Sequence, residues 1–290
     1  MKLALLGLAH GDAFGETLFG PPAEAARRVA TRALAARRPW RWTDDTAMAL
    51  AVVDVLTAHG TIDTDALMAA LVRRFCAEPD RGYGAGAYNL LTRVGWGADW
   101  RVEARAMFGG QGSFGNGAAM RVAPLGAYFA DDLPRVVVEA ARSAEPTHAH
   151  PEAVAGAVAV AVAAALAWRA GQGAALAPAA FVAEVAAHTP ASAVRDGIVA
   201  AGALLGADAA TAADALGTGR QVSAQDTVPW CVWCAARALD RYEDAVWQAA
   251  APVGDRDTNA AIVGGITILA SPGGVEAIPA AWRDATEPVR

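Results

Sequence analysis

The chain has 290 residues, a formal net charge of −6 and 54% hydrophobic residues. That length fits one domain with a sizeable core, and the acidic balance argues against a general nucleic-acid surface or a face for anionic membranes. Three cysteines, Cys76, Cys231 and Cys234, are too few for a disulfide framework and suit a reducing cytoplasm.

Apolar, alanine-rich runs separated by Gly/Pro punctuation predict an all-α fold, because period-two runs of β-branched and aromatic residues are scarce. Helices are expected at about 2–10, 23–37, 45–58, 64–76, 85–94, 99–107, 117–129, 134–144, 152–169, 178–187, 191–205, 208–216, 228–239, 242–250 and 257–270. No repeat, long linker or composition shift divides them, so residues 1–290 read as a single domain. The apolar start, Met1 to Ala9, sits at the lower length limit of a signal peptide and lacks a cleavage pattern, which favours a first buried helix. Ala153 to Trp168 is almost wholly Ala and Val, yet falls short of the ~20 residues that span a bilayer. It reads as a central core helix. Cys231-Val232-Trp233-Cys234 has C-x-x-C spacing without further soft ligands for zinc and without a strand–loop–helix context, so both cysteines are expected to be buried and structural.

Three loops carry more chemistry. Gly7 to Glu16 is glycine-spaced with two acids, Asp12 and Glu16; Arg81 to Gly86 is a flexible turn with an aromatic; Gly109 to Arg121 is densest in glycine. Glycine permits close backbone approach to a ligand, and a glycine-rich loop opening a helix near Ala118 would aim main-chain N–H groups at an anion. A plain helix–helix connection explains the same composition equally well, and neither a Walker loop nor a Rossmann turn is present.

Two acidic clusters stand near opposite ends: Trp42-Thr43-Asp44-Asp45-Thr46 and Gly254-Asp255-Arg256-Asp257-Thr258. Each precedes an apolar helical run, so each alone reads as a helix cap. A cap needs one oxygen, however, and adjacent carboxylates repel. Joined by the fold, Thr43, Asp44, Asp45, Asp255, Asp257 and Thr258 would offer the oxygen-only ligand set of a hard divalent cation.

The ordered set Gly11-Asp12-Ala13-Phe14-Gly15, Trp42 to Thr46, Gly112-Ser113-Phe114-Gly115-Asn116-Gly117-Ala118-Ala119-Met120-Arg121, Thr147-His148 and Gly254 to Ile262 resembles the ADP-ribosylglycohydrolase family, from about Leu6 to Leu269. The resemblance implies a compact, single-domain orthogonal helical bundle and two Mg²⁺ or Mn²⁺ ions held by the six cluster residues. It implies that Ser113, Phe114, Gly115, Asn116 and His148 bind substrate. It also implies cleavage of the C1″ glycosidic bond, releasing ADP-ribose from a modified side chain or small molecule. One position departs from the pattern: Phe19 stands seven residues after Asp12, where an acid is expected, and Asp80 is only near the second place where relatives carry one. Glu16 is then the nearest catalytic carboxyl, alongside Asp45. An ADP-ribose 1″-phosphate hydrolase and a non-catalytic ADP-ribose-binding regulatory protein are the alternatives. Asp12 is expected either to hydrogen-bond within its own loop or to touch substrate.

Overall fold

A computed structural model describes residues 1–289. Along the chain run α1 (Lys2–Glu16), α2 (Pro22–Thr31), α3 (Asp44–His59), α4 (Thr64–Ala77), α5 (Ala85–Gly95), α6 (Trp100–Gly110), α7 (Ala123–Tyr128) and α8 (Leu133–Ala144). There follow α9 (Pro151–Gly171), α10 (Pro178–His188), α11 (Ala193–Ala203), α12 (Ala209–Leu216), α13 (Ala224–Arg237), α14 (Tyr242–Ala250), α15 (Arg256–Thr267) and α16 (Ala280–Arg283). The described residues form no strand, only two isolated bridges, so the fold is all-α.

The Gly7–Glu16 segment, expected to be a loop, is helical. Gly7, Gly11 and Gly15 recur four apart and so lie on one face of α1. A Cβ on Gly11 would overlap the carbonyl oxygen of Ala260, and one on Gly15 that of Arg256. These glycines therefore serve close helix crossing instead of loop flexibility. Residues from the two ends of the sequence are pressed together, and the start of α15 is set beside Asp12.

Helix α9 is the centre of the core, with every residue from Ala155 to Ala167 buried. It packs against α7, α8, α10, α11, α13 and α15. At 21 residues it is longer than its predicted segment and passes a length-and-hydropathy test for a membrane span, but protein surrounds it. Small Ala side chains let six neighbouring helices approach one rod.

Other differences have local causes. Residues 117–129 do not make one helix, because Pro124 lacks an N–H and its ring would clash with the carbonyl of Met120. A single 3₁₀ turn at Asn116–Ala118 precedes α7 instead. Helix α2 stops at Thr31, where Arg32 turns into the left-handed region and the buried Arg28 guanidinium donates to the Ala33 carbonyl at 3.1 Å. Helix α6 is broken at Met107–Gly109, with Phe108 at φ +52°. Helix α13 begins four residues earlier than its expected start at 228 and carries Pro229 inside it. Cys231 and Cys234 are buried as expected, and Cys76 is exposed.

Candidate metal centre and its cleft

Asp12 leaves α1 fully buried and reaches across to α3. Its carboxylate accepts the Thr43 main-chain N–H at 2.9 Å, the Thr43 hydroxyl at 2.8 Å, the Thr46 N–H at 3.1 Å and the Thr46 hydroxyl at 2.5 Å. None of these bonds stays within its own segment; all four run to the start of α3. They lash the first acidic cluster to α1, which α15 already grips. Thr43 caps α3 by accepting the Asp45 N–H at 3.4 Å. Asp255 occupies the equivalent place at α15 but makes no capping bond.

The two clusters meet. One carboxylate oxygen from each of Asp12, Asp45 and Asp257 lies within 4.8 Å of the others, and the Thr258 hydroxyl donates to Asp45 at 3.5 Å. Among the described residues, no arginine or lysine pairs with Asp12, Asp44, Asp45, Asp255 or Asp257. Burial, reinforced by the neighbouring carboxylates, pushes Asp44 up to about 8 and holds Asp45 and Asp257 well above the ordinary carboxylate range. Asp12 is pushed up to about 6 by burial, against the pull of its four donors. Asp45 Oδ1 and Asp257 Oδ1 are buried with no hydrogen-bond partner. Unpaired buried anions are costly, and a cluster with orphaned oxygens and no cationic side chain fits a hard divalent ion.

Asp44, Asp45, Asp255, Asp257 and Thr258 line a cavity of about 570 Å³. Its far wall is the glycine-rich loop from Ser113 to Gly117, with Met120 and His148. The loop is held by main-chain bonds to the 222–224 segment: Asn116 N–H to the Val222 carbonyl at 3.3 Å and Ala224 N–H to the Phe114 carbonyl at 3.0 Å. Asn116 donates its side-chain amide to Asp255 at 2.7 Å and to Thr227 at 3.0 Å. It thereby ties the loop to the second acidic cluster. The Ser113 hydroxyl accepts the Gly115 N–H at 3.2 Å. His148 lies beneath the loop: a Cβ on Gly117 would come within 2.8 Å of its ring, so glycine is needed there. Its Nδ1 is 2.7 Å from the Thr147 hydroxyl. Burial, then the charge of Arg121, lowers the His148 pKa to about 3, so the ring is neutral at working pH. His150 is structural, capping α9 by accepting the Glu152 N–H at 3.1 Å.

Two of the predicted residues lie outside the cavity lining. Thr43 is buried behind it, with its hydroxyl on Asp12. Glu16 is an exposed residue at the end of α1, its carboxyl shifted upward by partial burial and by Asp12. Phe19, where an acid was expected, is half exposed. Sequence reasoning missed much of the rim: Met48, Phe108, Gln221 and Val222. Only Phe108 had a signal, standing directly before Gly109-Gly110. The Arg81–Gly86 turn, noted for its glycines, does contribute Gly82, Gly84 and Gly86. Phe108 and Phe114 stand with ring centroids 5.8 Å apart at the mouth.

A family model described as ADP-ribosylglycohydrolase matches residues 1–290. The chain belongs to the ADP-ribosylglycohydrolase family. Within it, the chain is 36% identical over 141 residues to ADP-ribosylhydrolase ARH3 of Gallus gallus, covering 48% of this chain and 36% of that protein. It is 39% identical over 110 residues to ADP-ribosylhydrolase ARH3 of Homo sapiens, covering 37% of this chain and 30% of that one. It is 32% identical over 167 residues to ADP-ribosylarginine hydrolase Tri1 of Pseudomonas putida (strain GB-1), covering 53% and 42%. Each match thus spans well under half of the relative's length. A solved structure titled ADP-ribosylglycohydrolase-related protein complex superposes with a TM-score of 0.68 at 24% identity, covering 98% of this chain and 90% of that one. That likeness concerns the fold.

Proposed function

We propose that this member of the ADP-ribosylglycohydrolase family is a metal-dependent hydrolase. It cleaves the C1″ bond of ADP-ribose to release ADP-ribose from a modified side chain or small molecule. The observation that carries the reading is the meeting of two acidic clusters, with orphaned buried oxygens on Asp45 and Asp257, at one wall of a ligand-sized cavity. The names of the relatives, an ADP-ribosylhydrolase and an ADP-ribosylarginine hydrolase, agree with it.

Asp44, Asp45, Asp255, Asp257 and Thr258 would hold two Mg²⁺ or Mn²⁺ ions. Thr43 completes the set through the hydroxyl lone pair left once it donates a hydrogen bond to Asp12 and accepts the Asp45 N–H. When bound, such ions supply Lewis-acid charge and a water of lowered pKa. The remaining work falls to the chain. Ser113, Gly115 and Asn116 cradle the diphosphate and ribose, and neutral His148 packs beneath them without adding or withdrawing charge as pH changes. Phe108 and Phe114 offer apolar faces to the base at the mouth. Asp45, buried beside Asp257, stabilises positive charge growing at the anomeric carbon. Glu16, whose carboxyl is held above its usual range, protonates the leaving group or steers water. Its place outside the lining requires the leaving group to extend toward the end of α1.

Phe19 favours one second reading. Without an acid there, a leaving group that needs little protonation, such as the phosphate of ADP-ribose 1″-phosphate, is the better substrate. A non-catalytic binder would have less use for a charge-dense centre.

The test is a panel of Arg-, Ser- and Asp/Glu-linked ADP-ribose, poly-ADP-ribose and ADP-ribose 1″-phosphate, each with Mg²⁺, Mn²⁺ or EDTA. ADP-ribose should be released from at least one substrate with metal and from none with EDTA. Binding of ADP-ribose with no release from any member would sink the hydrolase reading and favour the binder.

A further inference from the structure

Glu287 is distant in sequence from Trp42 and Arg81, yet it touches both, and these lead into the first acidic cluster and the Gly82–Gly86 rim of the cavity. One carboxylate oxygen accepts the Trp42 main-chain N–H at 3.0 Å and a bond from Arg81 Nη1. The same Arg81 nitrogen donates to the Trp42 carbonyl at 3.0 Å, and the guanidinium lies 3.4 Å over the Trp42 ring. Its other terminal nitrogen meets Glu78 at 2.5 Å. Main-chain bonds brace the arrangement: Trp40 N–H to the Ala285 carbonyl at 2.7 Å and Glu287 N–H to the Trp40 carbonyl at 3.0 Å.

Both peptide groups of Trp42 are thus fixed by one Arg81–Glu287 pair, and the next residues are Thr43, Asp44 and Asp45. Arg81 in turn is followed by Gly82, whose α-carbon hydrogen faces Asp44 closely enough that a Cβ there would lie 3.8 Å from its Oδ1. Arg81 is only 6% exposed and Glu287 17%, so solvent does little to weaken their charge-assisted bonds.

We propose that Glu287 is a positioning residue for the acidic centre, setting Asp44 and Asp45 through Trp42 and the Gly82–Gly86 rim through Arg81. This rests on the metal reading above. Partners behind metal ligands typically change affinity by about 10–100-fold when removed.

Calorimetric Mg²⁺ titration of the whole protein, well below any melting transition, tests it. Glu287→Ala should weaken Mg²⁺ binding about tenfold or more. Glu287→Gln keeps an acceptor for Trp42 but loses the charge facing Arg81, and should fall between. Glu276→Ala breaks the exposed pair with Arg283 in the preceding segment and should leave Mg²⁺ binding unchanged. Hydrogen exchange in metal-free protein should quicken at Trp42–Asp45 and Gly82–Gly86 in Glu287→Ala, with α9 still protected. Should Glu287→Ala not fold, Glu287→Gln decides by the same titration. Parent-like Mg²⁺ affinity in the folded variant overturns the inference alone. Failure of the parent to bind Mg²⁺ overturns the metal reading and the inference with it.

Discussion

Replacing Gly11 by alanine should separate packing from propensity in one measurement. In a free helix the change would gain about 1 kcal/mol. Here the new methyl overlaps the Ala260 carbonyl, a backbone group that no rotamer change can move aside. Overpacking a tight contact costs about 1–3 kcal/mol, and a rigid neighbour puts Gly11→Ala at the upper end, for a net loss of about 2 kcal/mol. For a chain of this size that lowers Tm by roughly 3 °C. Gly202→Ala is the control: its added Cβ meets Val182 at 3.5 Å, an ordinary contact, so about 0.5 kcal/mol of helix propensity should be gained. Thermal melting of the two variants, with and without Mg²⁺, should give opposite signs. A Gly11→Ala protein that melts at or above the parent would refute the claim that α1 and α15 are held together by backbone contact. Forcing the two helices apart should also weaken Mg²⁺ binding, because Asp12 and Asp45 would move away from Asp257.

The metal-free protein should lose stability as pH rises. Asp12 and Asp44 have folded pKa values raised to about 6 and about 8, so their contribution is full below about pH 4 and drains as pH climbs through those values. Melting in EDTA should fall between pH 5 and 8.5 and recover with saturating Mg²⁺ at the alkaline end; a flat profile would contradict the anionic cluster. Asp44→Ala and Asp257→Ala should each abolish turnover of whichever substrate the panel identifies, and wild-type turnover in either would remove the proposed ligands from the reaction. Asn116→Ala should cost about 1 kcal/mol of stability, from the partly buried Asp255 oxygen left unpaired. It should also weaken Mg²⁺ binding about tenfold; calorimetry showing parent affinity would make the amide incidental.

How much was legible in the sequence depended on whether a residue's reason was local. The α15 start, the capping Thr43 and the buried apolar α9 follow from spacing that a reader can see, and so do the two acidic clusters. Gly7, Gly11 and Gly15 look like loop glycines in the sequence because they are explained only by a partner near the other end of the chain. Asp12 had the same problem: its four donors come from Thr43 and Thr46, and nothing beside it in the sequence announces them. Val222 and Gln221 reach the cavity because Asp226 accepts the Gln221 N–H at 2.7 Å and shapes that turn, a tertiary consequence of where α13 begins. Asn116 was placed in the right loop, but its bond to Asp255 joins residues that only the fold brings together.

The central claim is that Asp44, Asp45, Asp255 and Asp257 surround divalent ions. Anomalous diffraction from crystals grown with Mn²⁺ tests it most directly. Two manganese peaks should appear within coordination distance of these carboxylates, both lost in Asp257→Asn protein. A parent crystal without manganese there, with Asp45 and Asp257 facing ordinary water, would contradict it.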